Sequence, residues 1–107
     1  MMIFAITLSY LRSAEELKFH AESHKQWLAE NIASGKVIFA GPITDGSGGY
    51  ILGRFTDREE MTRALAADPF VSFGLVEAGC REITAAICAE EFGRYWAEDA
   101  KAIPVTA

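Results

Sequence analysis

Two short segments, KVIFA (36–40) and YILGRF (50–55), are apolar at nearly every position and stand either side of TDGSGG (44–49). Runs of this length and composition read as strands, and the turn-forming residues between them supply the connection. A strand that alternates apolar and polar buries one face, whereas a strand apolar throughout needs cover on both. Whatever this chain folds into must therefore place a layer on each side of a sheet. Its 107 residues suit one domain with one core, so the cover on at least one side has to come from helices.

The flanking segments supply them. MIFAITLS (2–9) reads as a first strand; no basic stretch precedes it, which argues against a signal peptide. Ser13 followed by Glu16 fits a capping box, so a first helix begins there, runs to about Ser34 and stops at Gly35. Thr56 with Glu59, or Asp57 with Glu60, caps a second helix that reaches about Ala67, with Met61, Ala64 and Leu65 as its inner face. Pro69 cannot continue that helix and biases Asp68 away from helical geometry. Residues 76–88 read as one long last strand, in which Ile83, Ala85 and Ile87 alternate with Glu82, Thr84 and Ala86. The order β-α-β-β-α-β is that of an α+β, ferredoxin-like fold, an antiparallel sheet with two helices on one face. A second copy of the sheet is the simplest cover for the other face, giving a homodimer closed as a dimeric α/β barrel. The expected domain spans 1–88. The tail, 89–107, carries Phe92, Tyr95 and Trp96 and is expected to pack on the body or on a partner subunit.

Charge narrows the partners. A net charge of −5 does not suit phosphate backbones or anionic membrane surfaces. No apolar run approaches the ~20 residues of a membrane-spanning helix. Cys80 and Cys88 have neither a zinc spacing nor a disulfide framework, and both fall on the expected last strand, too far apart to bond. A reduced, cytoplasmic setting follows as the default.

Helix one holds the residue most out of place. With Leu17 as zero and about 100° per residue, Ala21, Leu28 and Ile32 fall between about +20° and +60°, and His24 falls near −20° inside the same stripe. His20 and Trp27 lie at its edge. Two readings of His24 stand: a core histidine bonded to a backbone carbonyl, or a titratable imidazole facing a pocket. His20 and His24, four residues apart, also have a spacing that chelates a metal, with Asp68 as the obvious third ligand, but HAESH is not the zinc-peptidase motif and no metal is expected. Asp68 has a local reading too, as the N-cap of a short turn begun by Pro69. GSGG lacks the context of a phosphate loop, Ser23 and Ser72 have no evident base, and the cysteines read as small apolar residues.

Four pieces together carry a family resemblance: IFAITLS, a helix bearing HKQWL, GKVIFAGP, and ADPFVSFGLVE. In this order, across residues 2–88, the chain resembles the YCII-related proteins. The resemblance implies a ferredoxin-like domain dimerised into an α/β barrel, and an active site made of a helix-one histidine and the aspartate of the D-P-F/Y turn. On this sequence those are His24 and Asp68. One kind of member is a dehydrochlorinase of a chlorinated hydroxyquinol. Relatives often carry a basic residue three positions before the histidine; Ala21 stands there, so an anion contact is either absent or falls to Arg54, Arg81 or Lys25.

The expected chemistry is proton transfer by a His24–Asp68 pair on a small cyclic or aromatic molecule, by isomerisation, elimination or dehydrochlorination, with no cofactor. Trp27, Phe70, Phe73 and Ser72 are the expected substrate-binding residues. The alternative is a ligand-binding or regulatory dimer with a degenerate site.

Overall fold

Seven residues of β1, Ile3 to Ser9, are paired on both sides. The computed structural model describes residues 1–106. In chain order it comprises β1 (Met2–Tyr10), α1 (Ala14–Ala33), β2 (Val37–Pro42), β3 (Gly48–Phe55), α2 (Arg58–Ala66), the single turn α3 (Pro69–Ser72), β4 (Val76–Ile83), β5 (Ile87–Ala89), α4 (Glu90–Trp96) and β6 (Lys101–Ile103). The four long strands form one antiparallel sheet in the order β2-β3-β1-β4. This mixed α+β arrangement is consistent with the ferredoxin-like expectation.

Register explains the core. Phe4, Ile6 and Leu8 of β1 stand opposite Gly53, Ile51 and Gly49 of β3, so all share one face. On that face Phe4, Ile6, Leu8, Ile51 and Phe55 are buried against Trp27 of α1, Met61 and Leu65 of α2, and Phe70 of α3. Gly53 is buried there, and a Cβ on it would come 2.6 Å from the Phe55 ring; its missing side chain is the room that ring occupies. The other face carries Ala5, Thr7, Tyr50 and Leu52 at its centre, with the exposed Phe39 and Ile83 toward its edges.

The local signals for helix ends are realised. Ser13 accepts the Glu16 N–H at 3.3 Å, and Gly35 leaves α1 with φ +78°. Of the two caps open for α2, Asp57 is used: its carboxylate accepts the Glu60 N–H at 2.8 Å, and the Glu60 side chain accepts the Thr56 N–H at 3.2 Å. The buried stripe of α1 is turned relative to expectation. Trp27 is its one fully buried residue, Asn31 is half-buried, and Ile32 is 48% exposed. That stripe is centred near His24, because α1 leans toward α3 rather than lying squarely over the sheet.

Three expectations about strand limits are corrected. Gly41 and Pro42 extend β2 rather than ending it, which an edge strand tolerates. Gly48 and Gly49 belong to β3, and the connector shrinks to a tight turn in which Gly46 (φ +80°) donates to the Ile43 carbonyl and Asp45 accepts the Ser47 N–H. The single long last strand is two strands. Ile83 pairs with Ile3, one residue from the start of β1, so the alternating sequence after it has no partner left. Ile87–Ala89 pairs instead, in parallel, with Lys101–Ile103. Cys80 and Cys88 consequently lie on different strands, both as free thiols.

Gly48 is irreplaceable for a simple reason: a Cβ there would lie 1.9 Å from the Leu8 carbonyl oxygen, which is fixed in the sheet. Gly48→Ala should cost about 1–3 kcal/mol in urea unfolding, while Gly41→Ala, with nothing within 4 Å of its Cβ, should change stability little.

Candidate active site at the seam between helix one and the sheet

Asp68 sits between two helices that both depend on it or on its neighbour. Ala67 closes α2, and Pro69, lacking an N–H, opens α3. Asp68 takes extended geometry (φ −69°, ψ 124°), and its Oδ1 accepts the Phe70 N–H at 3.0 Å as an N-cap. The residue is nevertheless completely buried, the only charged residue in the core among the described residues. Its Oδ1 also accepts a second hydrogen bond, 2.7 Å long, from Nδ1–H of His24, while Oδ2 has no partner among the described residues.

A buried carboxylate is costly unless paired, and here the pairing group is an imidazole that is itself only 15% exposed. The ring is held on more than one side. Phe70 lies flat on it, with centroids 4.0 Å apart and planes 5° from parallel, and Trp27 stacks more loosely at 6.3 Å. Trp27 is pinned in turn by its indole N–H, which donates to the Ala64 carbonyl at 3.1 Å. With Nδ1 donating to the carboxylate, Nε2 is the free nitrogen, and it is not sealed in.

His24 opens onto a cavity of about 280 Å³. Leu8, Ala40 and Ile51 make its floor on the sheet, Ala21 and Leu28 its roof on α1, and Tyr10 with Phe70 one end. The backbone of Gly41, Pro42 and Gly49 forms its outer wall. Lys25 also borders it. The lining is mostly apolar, with few polar groups converging, the usual make-up of a small-molecule site.

The expected site residues divide. His24, Asp68 and Phe70 come together, and Trp27 supports the imidazole without lining the cavity. Phe73 and Ser72 do not line it either: both are exposed, and Phe73 stacks on His20 at 4.3 Å. The cause is the length of α3. A single turn after Asp68 aims Phe70 inward and carries Ser72 and Phe73 outward. That stacking also turns His20 away from His24, and no group of three or more metal-ligating side chains exists among the described residues. Leu8, Tyr10 and the Gly41–Pro42 wall were missed. The even-numbered positions of β1 were the signal for the first two, once it is known which face carries the helices.

The two cysteines lie elsewhere. Burial pushes the Cys80 thiol up, against a smaller opposing effect of Arg58, so under α2 it rests as a neutral thiol. In the turn below the cavity, Ser47 holds the Asp45 carboxyl below its ordinary range.

With this geometry in hand, comparisons with known proteins become informative. The model of the YCII-related domain matches residues 2–84. The chain belongs to the YCII-related family. Six solved chains resemble it significantly. Among them is the 5-chloro-2-hydroxyhydroquinone dehydrochlorinase of Burkholderia phenoliruptrix, in complex with 2,5-dihydroxybenzoquinone. The two are 20% identical, the match covers 75% of this chain and 91% of that one, and the TM-score is 0.64. A search of curated protein sequences gives no significant match.

Asp68 carries both a cap and the histidine, so its substitutions should separate. Asp68→Ala should cost about 2–4 kcal/mol in urea unfolding. Asp68→Asn, which can still accept the Phe70 N–H, should cost less than half of that.

Proposed function

We propose that this YCII-related protein is a small-molecule enzyme in which His24 and Asp68 act as an acid–base pair. One observation carries the reading: His24 is tied through Nδ1 to a buried carboxylate, and the same histidine lines a mostly apolar cavity. Asp68 holds the imidazole in the tautomer whose Nε2 lone pair is free, and stabilises the imidazolium once a proton arrives. Nε2 removes a proton from a C–H or O–H of a small cyclic or aromatic substrate. The electron pair left behind forms a new C=C or C=O bond. Either the proton returns at another atom, an isomerisation, or a leaving group such as chloride departs, an elimination. The fold shared with a dehydrochlorinase is compatible with the second route.

His24→Ala and Asp68→Asn should each lower turnover about 10²–10⁴-fold while remaining folded by circular dichroism, His24→Ala at a cost in stability because it leaves the Asp68 carboxylate without its imidazole. The assays are chloride release from 5-chloro-2-hydroxyhydroquinone and solvent deuterium exchange into cyclic metabolites found by thermal shift. Two fully active variants would sink the mechanism, and a wild type that binds ligands but turns none over would leave the binding or regulatory dimer as the better reading.

The proposed working form is a homodimer in which a second sheet covers the open face, closing an α/β barrel. Support comes from the apolar Leu52, Tyr50, Phe39 and Ile83 on that face, of which Phe39 and Ile83 are 54% and 44% exposed. The segment after Ile83 belongs to the same surface. Arg54 donates through Nε to the Trp96 carbonyl at 3.2 Å and stands over the Trp96 ring, which sets the tail at one end of the open face. We assign 1–88 to the catalytic domain and the tail from 89 to packing on the body or partner; Ala107 lies outside the described residues. No helix among the described residues is long and apolar enough to cross a membrane. Two free thiols suit a reduced, cytoplasmic setting. Light scattering should give a mass near twice the 11.7 kDa chain, and Phe39→Glu should shift it to the monomer.

A further inference from the structure

The cavity beside His24 has an uneven charge. Lys25 is the only lysine or arginine on its wall, and no aspartate or glutamate lines it. In a chain of net charge −5 that is a local reversal of sign. The other basic candidates are on the wrong side. Arg54 pairs with Ile3 and Arg81 with Ala5, odd-numbered positions of β1 whose side chains leave the helix-covered face, and Arg54 is occupied with Trp96. Lys25 is held only loosely. Its Nζ lies 3.9 Å from Glu22 Oε1, with the two side chains 71% and 94% exposed, a pair that water screens strongly. Nothing in that contact prevents the ammonium from swinging over the cavity mouth.

We propose that Lys25 is the specificity-determining residue of this cavity and selects a small cyclic or aromatic substrate bearing an anionic substituent, a carboxylate or an acidic enol or phenol oxygen. The inference deepens the acid–base reading of the same cavity and rests on it. Volume keeps the substrate small: the cavity is about 280 Å³, floored by Leu8 and Ile51 and roofed by Leu28. Position supplies the rest. Lys25 follows His24 on α1, about 100° round the helix, and its four-carbon stem lets the ammonium reach over the cavity mouth toward a ring held beside the imidazole. An ammonium close to that ring also stabilises the negative charge that develops when His24 takes the proton. Tyr10, at the Phe70 end, is the remaining polar side chain whose ring stands on the helix-covered face; the Tyr50 ring packs with Phe39 on the other face.

The test compares isosteres of different charge, benzoate and benzamide, by NMR titration followed at Tyr10, Ala21 and Leu28. Wild type should bind benzoate at least about fivefold more tightly than benzamide, the size of one weakly screened ion pair. Lys25→Met should bring the two within about twofold by weakening benzoate alone, and Lys25→Arg should keep the preference. Glu22→Gln, which removes the competing carboxylate, should tighten benzoate and leave benzamide unchanged. His24→Ala separates the imidazole's charge from the ammonium's: it should abolish turnover and keep the anion preference. The proposal falls if wild type shows no preference, if the preference survives in Lys25→Met, or if it vanishes in His24→Ala. Failure of the acid–base reading looks different, as full turnover in His24→Ala or as neither ligand perturbing the cavity; the latter removes the proposal as well.

Discussion

A carboxylate with no exposure has to be compensated from within, and in this protein the compensation is one imidazole. The 2.7 Å hydrogen bond from His24 to Asp68 joins α1 to the junction of α2 and α3, elements separated by 44 residues. It sets how α1 lies: the helix presents His24 at the centre of its buried stripe, brings Trp27 in behind it and leaves Ile32 outside. The same contact leaves a gap between α1 and the β2 side of the sheet, and that gap is the cavity. Leu17 and Leu28 still pack on the core from one side of that stripe.

Asp68 also shows how one residue serves folding and chemistry through one atom. Its Oδ1 caps α3 and receives the histidine, so the turn that terminates α2 and the orientation of the imidazole are mechanically the same feature. Pro69 stops one helix and starts the next, which makes the position of the acid nearly independent of side-chain freedom. Phe70 then fills both the core and the face of the ring. Such sharing makes the site rigid.

Much of this was legible along the chain. Alternation and capping signals located every element through β4, and the cap at Asp57 was one of two written in the local sequence. His24 and Asp68 each looked misplaced by ordinary rules, a histidine on an apolar stripe and an acid before a proline among apolar residues. What failed was anything decided by where a neighbour ends. Residues 83–87 alternate as a strand should, yet β1 has no residues left to pair with them, so the chain leaves the sheet and Ile87–Ala89 joins β6 instead. Phe73 and Ser72 had the right composition for a pocket, but a single helical turn carries them outward.

The amino-acid sequence by itself determined the element order through β4, the cap of α1 and the turn that aims Asp68, because each rests on interactions within a few residues or on the period of apolar positions. Only the tertiary structure decided the rotation of α1, the meeting of His24 with Asp68, the membership of Tyr10 and Lys25 in the cavity wall, and the exclusion of Arg54 and Arg81 from it. Those depend on register: an odd or even position on β1 puts a side chain on the helix-covered face or the open one, and no local pattern states which face the helices will take.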